Sequence, residues 1–254
     1  MSDVEKGLAG WTHYWNANVA ETFGGKEELE KNPKYLFEEK PIADAIPQCY
    51  ALLDAGCGVG RYTPLVIDKC ERYVGVDYSE NMLAQARKNA ESLPGIGKLR
   101  AMFVQAELET ADFKRICIEN VTPREGKAVE KFDIGMLIAI IRHLPCEKGV
   151  AVLKHVADAC DILFFTATIV PPEREIPMIV KGLGDNKIVD HPYHLADLKK
   201  ALGTDSLNAV PIGDRDPTEG DRYLFRYPFD ASLVPAPIPK PYNRIGHLRR
   251  AIHG

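Results

Sequence analysis

The sequence predicts an α/β fold in which short apolar strands alternate with amphipathic helices around a doubly wound, mainly parallel sheet. Two observations carry that expectation. Apolar runs at 50–53, 73–77, 132–138 and 161–170 are short and abruptly ended, as strands covered on both faces are. Between them, 80–89 and 146–159 space their apolar residues for one face of a helix. A chain of 254 residues accommodates one such domain with a full core, or a domain with small additions.

The first strand runs into Asp54-Ala-Gly-Cys-Gly-Val-Gly60, and helical spacing resumes at Thr63. Alternating glycines remove side chains where the chain turns tightly and where a ligand must approach the backbone. The helix start that follows offers unpaired N–H groups and a partial positive charge, which suits an anion. A second apolar run, Tyr73-Val-Gly-Val-Asp77, closes on an acid about one strand–helix–strand unit downstream, where a ribose hydroxyl pair would fall.

These two features resemble the class I S-adenosylmethionine-dependent methyltransferases, whose first motif is acid-x-Gly-x-Gly-x-Gly and whose second is a strand-terminal acid. Asp54, Gly56, Cys57, Gly58 and Gly60 match the first and Asp77 the second. The competing reading is a dinucleotide enzyme. Its fingerprint is Gly-x-Gly-x-x-Gly, and here the third glycine comes one residue too early, with Arg61 in its place. Asp54 would moreover repel a pyrophosphate, whereas it would attract the ammonium group of S-adenosylmethionine.

The resemblance spans about 48–227 and implies a Rossmann-like sheet of seven strands, mostly parallel, with one antiparallel strand near the C-terminus. It divides the chain into an extension or lid at 1–47, a cofactor-binding domain at 48–227 and a tail at 228–254. In the family the residue after the ribose acid and one on the next helical turn pack against adenine, which maps to Tyr78 and Met82; Met82 serves equally as a core methionine. Ser79 is the expected N-cap of that helix. A third strand, 99–105, leads to Ala106 and Glu107, where the family places an acid for the adenine amino group. The commoner pair there is Gly-Asp, and Glu109 is the alternative.

The fourth strand continues as Ala139-Ile-Ile-Arg-His-Leu-Pro145, similar to the family's fourth motif and its histidine-containing tail. Leu137 and Ile138 fall where main-chain groups meet the methionine part of the cofactor. His143 is the candidate general base, since imidazole takes a proton near neutrality. Many methyl transfers need no base, because positioning a nucleophile against an activated sulfonium supplies most of the acceleration. A helix at 111–118, a surface insertion at 122–127, a last helix at 195–202 and a closing hairpin at 207–212 and 222–227 complete the expected domain.

Acceptor contacts are expected from Trp11, Tyr14 and Trp15 in the extension and from His191, Tyr193 and His194 in a long loop at 171–193. Each also reads as plain packing, of an aromatic anchor or around prolines. The six cysteines are scattered, with no Cys-x-x-Cys pair and no zinc-type histidine spacing, so no metal is expected. A net charge of −4 argues against a large nucleic-acid footprint. No run of about 18 apolar residues and no signal-peptide layout occurs, so no membrane partner is expected and the cytoplasm is the default compartment.

The expected activity is therefore methyl transfer from S-adenosyl-L-methionine to an O or N atom of a small molecule, releasing S-adenosyl-L-homocysteine. The alternatives are a tRNA or protein acceptor, or a non-catalytic cofactor-binding scaffold. A DNA-type fourth motif and the paired glutamates of arginine methylation are both absent after strand four.

Overall fold

A computed structural model describes residues 38–93, 100–173, 179–183, 186–212 and 221–228, and for 179–188 the backbone alone. The expected extension residues Trp11, Tyr14 and Trp15 and the tail from 229 lie outside the described residues. Helix α1 (Lys40–Ala45) leads into β1 (Cys49–Ala55), α2 (Thr63–Val66) with a 3-10 turn, β2 (Cys70–Asp77) and α3 (Glu80–Glu91). Then come β3 (Ala101–Gln105), α4 (Phe113–Asn120), β4 (Phe132–Leu137), a 3-10 turn (Ile141–His143), α5 (Cys146–Asp158) and β5 (Cys160–Ile169). The chain continues through β6 (Ile179–Leu183), β7 (Asn186–Asp190), α6 (Leu195–Leu202), β8 (Asn208–Pro211) and β9 (Asp221–Tyr227).

Seven strands form one sheet in the order β3-β2-β1-β4-β5-β9-β8. The pairs among β1 to β5 are parallel, and β9 runs antiparallel to both β5 and β8. The seven-stranded sheet with a single reversed strand is the expected one. Strand order turns back between β1 and β4, the place where open α/β sheets bind their ligands, beyond the carboxyl ends of the strands.

Both faces of the sheet are covered, which is why β1 is apolar at consecutive positions. Leu53 points with Val74 and Phe165 into a core closed by Phe113, Ile116, Val152, Leu153, Val156 and Leu198 from α4, α5 and α6. Leu52 points with Tyr73, Met136 and Phe164 into a second core closed by Ile42 and Ile46 at α1 and by Val66 and Ile67. Ser79 caps α3 as expected, accepting from the Met82 N–H at 3.3 Å, and Asp112 caps α4 from Arg115 N at 2.9 Å.

The expected long loop at 171–193 requires correction, because it contains an antiparallel hairpin in which Ile179 pairs with Asp190 and Leu183 with Asn186. No helix among the described residues is long and apolar enough to cross a membrane.

Candidate functional site

At the end of β1 the N–H groups of Gly56 and Cys57 both donate to Val76 O, at 2.7 and 3.1 Å, which folds the chain back against β2. Gly56, Gly58 and Gly60 then take φ of +79°, +53° and +72°, a region that L side chains avoid. Steric neighbours reinforce the requirement. A Cβ on Gly56 would run into the Ile140 side chain, and one on Gly58 would lie 3.2 Å from Met82 Cε.

Asp77 binds both halves of this cradle. Its Oδ2 accepts from Gly58 N and its Oδ1 from Ser79 N, each at 2.9 Å. Burial pushes the carboxyl up, and the bonds from Ser79, Gly58 and Tyr78 work against it. A carboxylate has about four lone-pair sites, so these bonds still leave it able to accept from a diol.

Asp54, on β1, is 2% exposed and receives the Tyr73 O–H at 2.6 Å. Burial raises its carboxyl to about 7, the Tyr73 hydrogen bond opposing and the Asp77 charge adding to the rise. Near neutrality this acid is half ionised, and a cation beside it would draw the proton off. Cys57 turns its sulfur towards Gly75, where an added Cβ would meet it at 2.8 Å. Burial, with the charges of Asp54 and Asp77, lifts its thiol well above the ordinary range and leaves it unreactive.

The other predicted cofactor contacts lie around the same cradle. Met82 is buried against Gly58, while Tyr78 is 40% exposed. Ala106 donates its N–H to Asp77 O at 3.0 Å, and the neighbouring Glu107 is exposed. The alternative, Glu109, is engaged by Lys148 at 3.2 Å. Leu137 and Ile138 are buried, so only their main chain is available to a ligand. Just beyond them Ala139 takes φ +61°, its N–H donating to Thr166 Oγ1 at 2.7 Å. Strain of this kind in a non-glycine residue gathers at functional turns. It turns Ile140 over the first glycine.

Directly after Ile140 the chain enters a charged group that the sequence did not reveal. Asp190, at the end of β7, ion-pairs with Arg142 and lies 3.3 Å from His143 Nδ1. Burial works to raise the Asp190 carboxyl, but the hydrogen bonds from His143 and Arg142 outweigh it and hold it well below the usual carboxylate range. Burial also lowers the His143 imidazole, with the Arg142 and Arg222 charges assisting and Asp190 opposing. His143 is therefore neutral at physiological pH.

Just before α1, Glu38 pairs with Arg222 and Glu39 with Arg61, both at 2.5 Å, and both glutamates are buried. Among the described residues no group of three or more His, Cys, Asp and Glu is placed to hold a metal ion.

His191 follows Asp190, half-buried, and its N–H donates to Arg142 O at 2.7 Å. Tyr193 must be reassigned from acceptor contact to core. It is fully buried, and its hydroxyl donates to Ile141 O at 2.7 Å, with Leu144 O at 3.3 Å. The hydroxyl fits only because Gly149 of α5 has no Cβ; one there would occupy the same space. His194 is half-buried at the N-cap of α6 and makes no side-chain cap bond.

Residues 52–161, from the middle of β1 to the start of β5, match a family model described as "Methyltransferase domain". This stretch is similar to methyltransferase domains. Its glycine cradle, Asp54, Asp77 and His143 all fall inside that match. None of the curated proteins matches the sequence.

Solved structures extend the likeness beyond that match. The N-methyltransferase NodS from Bradyrhizobium japonicum WM9, in complex with S-adenosyl-L-homocysteine, aligns at TM-score 0.55 and 11% identity over 84% of this chain and 95% of its own. Magnesium protoporphyrin IX methyltransferase (ChlM) from Synechocystis PCC 6803 with bound SAH aligns at TM-score 0.54 and 17% identity, covering 88% of this chain and 97% of its own. A DhpI-SAM-HEP complex aligns at TM-score 0.54 and 17% identity, over 88% and 98%. At these identities the chain shares their fold, a Rossmann-like sheet.

Proposed function

We propose that this chain transfers the methyl group of S-adenosylmethionine to an O or N atom of a small molecule, releases S-adenosylhomocysteine, and does so in the cytoplasm. The observation that carries the reading is a cradle of positive-φ glycines between two buried acids, Asp54 and Asp77. The residues fit the methyl donor by charge and shape. Asp54 would meet its ammonium group, Asp77 its ribose hydroxyls, and Tyr78, Met82, Ala106 and Glu107 the adenine, while the backbone after Gly56 and at Leu137 and Ile138 flanks the methionine end.

The bound donor supplies an electrophilic methyl group on a sulfonium. The protein's share is to hold an acceptor in line with it and to exclude water. His143 and His191 would supply polar groups for an acceptor, and a small-molecule acceptor agrees with the net charge of −4. Of the structural neighbours, one is described as a magnesium protoporphyrin IX methyltransferase and another as an N-methyltransferase.

Calorimetric titration with S-adenosylhomocysteine tests the donor site. Tight binding is expected, and Asp77→Ala should weaken it by about 1.5 to 3 kcal/mol, the scale of hydrogen bonds to a charged group. Affinity unchanged by that substitution would remove Asp77 from the site.

A further inference from the structure

Asp190 is held in place by the residues that follow it. The N–H of His191 donates to Arg142 O at 2.7 Å and the Tyr193 hydroxyl to Ile141 O at 2.7 Å, which fastens the end of the β6–β7 hairpin to the 3-10 turn that carries Arg142 and His143. Tyr193 N also donates to Thr168 O at 2.8 Å and Val170 N to Tyr193 O at 3.0 Å, which ties the same segment to the end of β5. The carboxylate is 4% exposed, with one oxygen paired to Arg142 and the other 3.3 Å from His143 Nδ1.

We propose that Asp190 is the positioning residue that sets His143 as the base for a hydroxyl acceptor, a reading that rests on the methyl-transfer function above. A carboxylate facing Nδ1 keeps the ring proton there and leaves the lone pair on Nε2. It also stabilises the imidazolium that forms when a proton arrives. Arg142 holds the carboxylate in turn and keeps it ionised.

The charged groups facing His143 are Asp190 from β7, Arg142 from its own turn and Arg222 from β9, the last already paired with Glu38. Burial disfavours the imidazolium most, with the two guanidiniums assisting and the carboxylate opposing, so the resting ring is neutral and able to accept.

Such a base distinguishes among acceptors. A neutral amine already presents its lone pair, and a carboxylate or thiolate is already an anion. A hydroxyl, with a pKa of about 10 or above, must lose its proton as the new bond forms. In that step the O–H proton passes to His143 Nε2, the oxygen pair bonds to the methyl carbon, and the C–S pair leaves with sulfur. The proton then returns to water.

Nitrogen-edited NMR of the imidazoles, on the full chain with and without S-adenosylhomocysteine, tests the positioning role. The expected result is an Nδ1–H tautomer for His143 at pH 7 and, in Asp190→Asn, a His143 titration displaced downward by a pH unit or more with S-adenosylhomocysteine affinity kept within twofold. An Nε2–H tautomer, or an unmoved titration, overturns it. Because Asp190→Asn leaves Arg142 buried without its carboxylate, Arg142→Gln/Asp190→Asn serves the same measurement if the single variant does not fold, and Asp190→Glu should restore the titration.

The acceptor class is read as S-adenosylhomocysteine release with phenol and benzyl alcohol beside aniline and benzylamine. Release from the hydroxyl compounds at least tenfold above the amines, with a turnover limb that moves to lower pH in Asp190→Asn, supports the class. Equal or lower release from the hydroxyl compounds overturns it. Failure to bind S-adenosylhomocysteine at all would instead remove the methyl-transfer reading itself.

Discussion

Replacing Asp54 by asparagine should stabilise the protein at alkaline pH and leave it almost unchanged at acid pH. The unfolded chain ionises this carboxyl near 3.8, whereas burial holds it in the folded protein at about 7. The folded state therefore binds the proton more tightly, and stability contributed by the neutral acid is lost as pH rises from about 4 to about 7. At about 1.4 kcal/mol for each pH unit, the interval between 3.8 and about 7 comes to about 4 kcal/mol.

Asparagine has the same shape and still accepts the Tyr73 O–H, but it carries no charge to desolvate. Urea unfolding at pH 4.5 and pH 8.5 measures the difference. With an m-value of about 3 kcal/mol/M, the midpoint of Asp54→Asn should lie roughly 1 M above the parent at the higher pH and coincide with it at the lower. The same gain at both pH values would refute the argument, since a packing effect has no pH dependence. The variant should also lose affinity for S-adenosylhomocysteine, and the parent should release close to one proton on binding it at pH 6.

Gly56→Ala combines a positive φ with a collision against Ile140, and should cost about 2 to 4 kcal/mol of stability together with cofactor binding, read by thermal unfolding and calorimetry. Gly149→Ala should be strongly destabilising, by about 3 kcal/mol, because the added methyl enters the space of the Tyr193 hydroxyl. Tyr193→Phe alone should cost about 1 to 2 kcal/mol for the carbonyls of Ile141 and Leu144 that lose their donor. The double variant should then be more stable than Gly149→Ala, and strict additivity in denaturant unfolding would argue against a shared space.

What could be read in advance was whatever local chemistry dictates. Alternating glycines demand a turn that only they adopt, and a strand-terminal acid one unit later marks the place of a diol, so the cradle, Asp54 and Asp77 were visible in sequence. Asp190 was not. Its hairpin lies among prolines and glycines that read as loop, and its partners Arg142 and His143 are distant in the chain. Tyr193 looked like a loop aromatic because its burial depends on a missing Cβ in another helix. Glu38 and Glu39 carry no local signal of burial, since charges are buried only by partners that the fold brings up.

Those two glutamates have a consequence for how the chain can be cut. Each neutralises an arginine on a different element, Arg61 directly after the third glycine and Arg222 at the head of the reversed strand. A truncation that stops before residue 38 leaves both pairs whole. One that begins at Lys40 strands two partly buried cations, and breaking such pairs costs more than forming them gains. A folding unit must therefore include the double glutamate, ahead of the boundary that the first strand suggests.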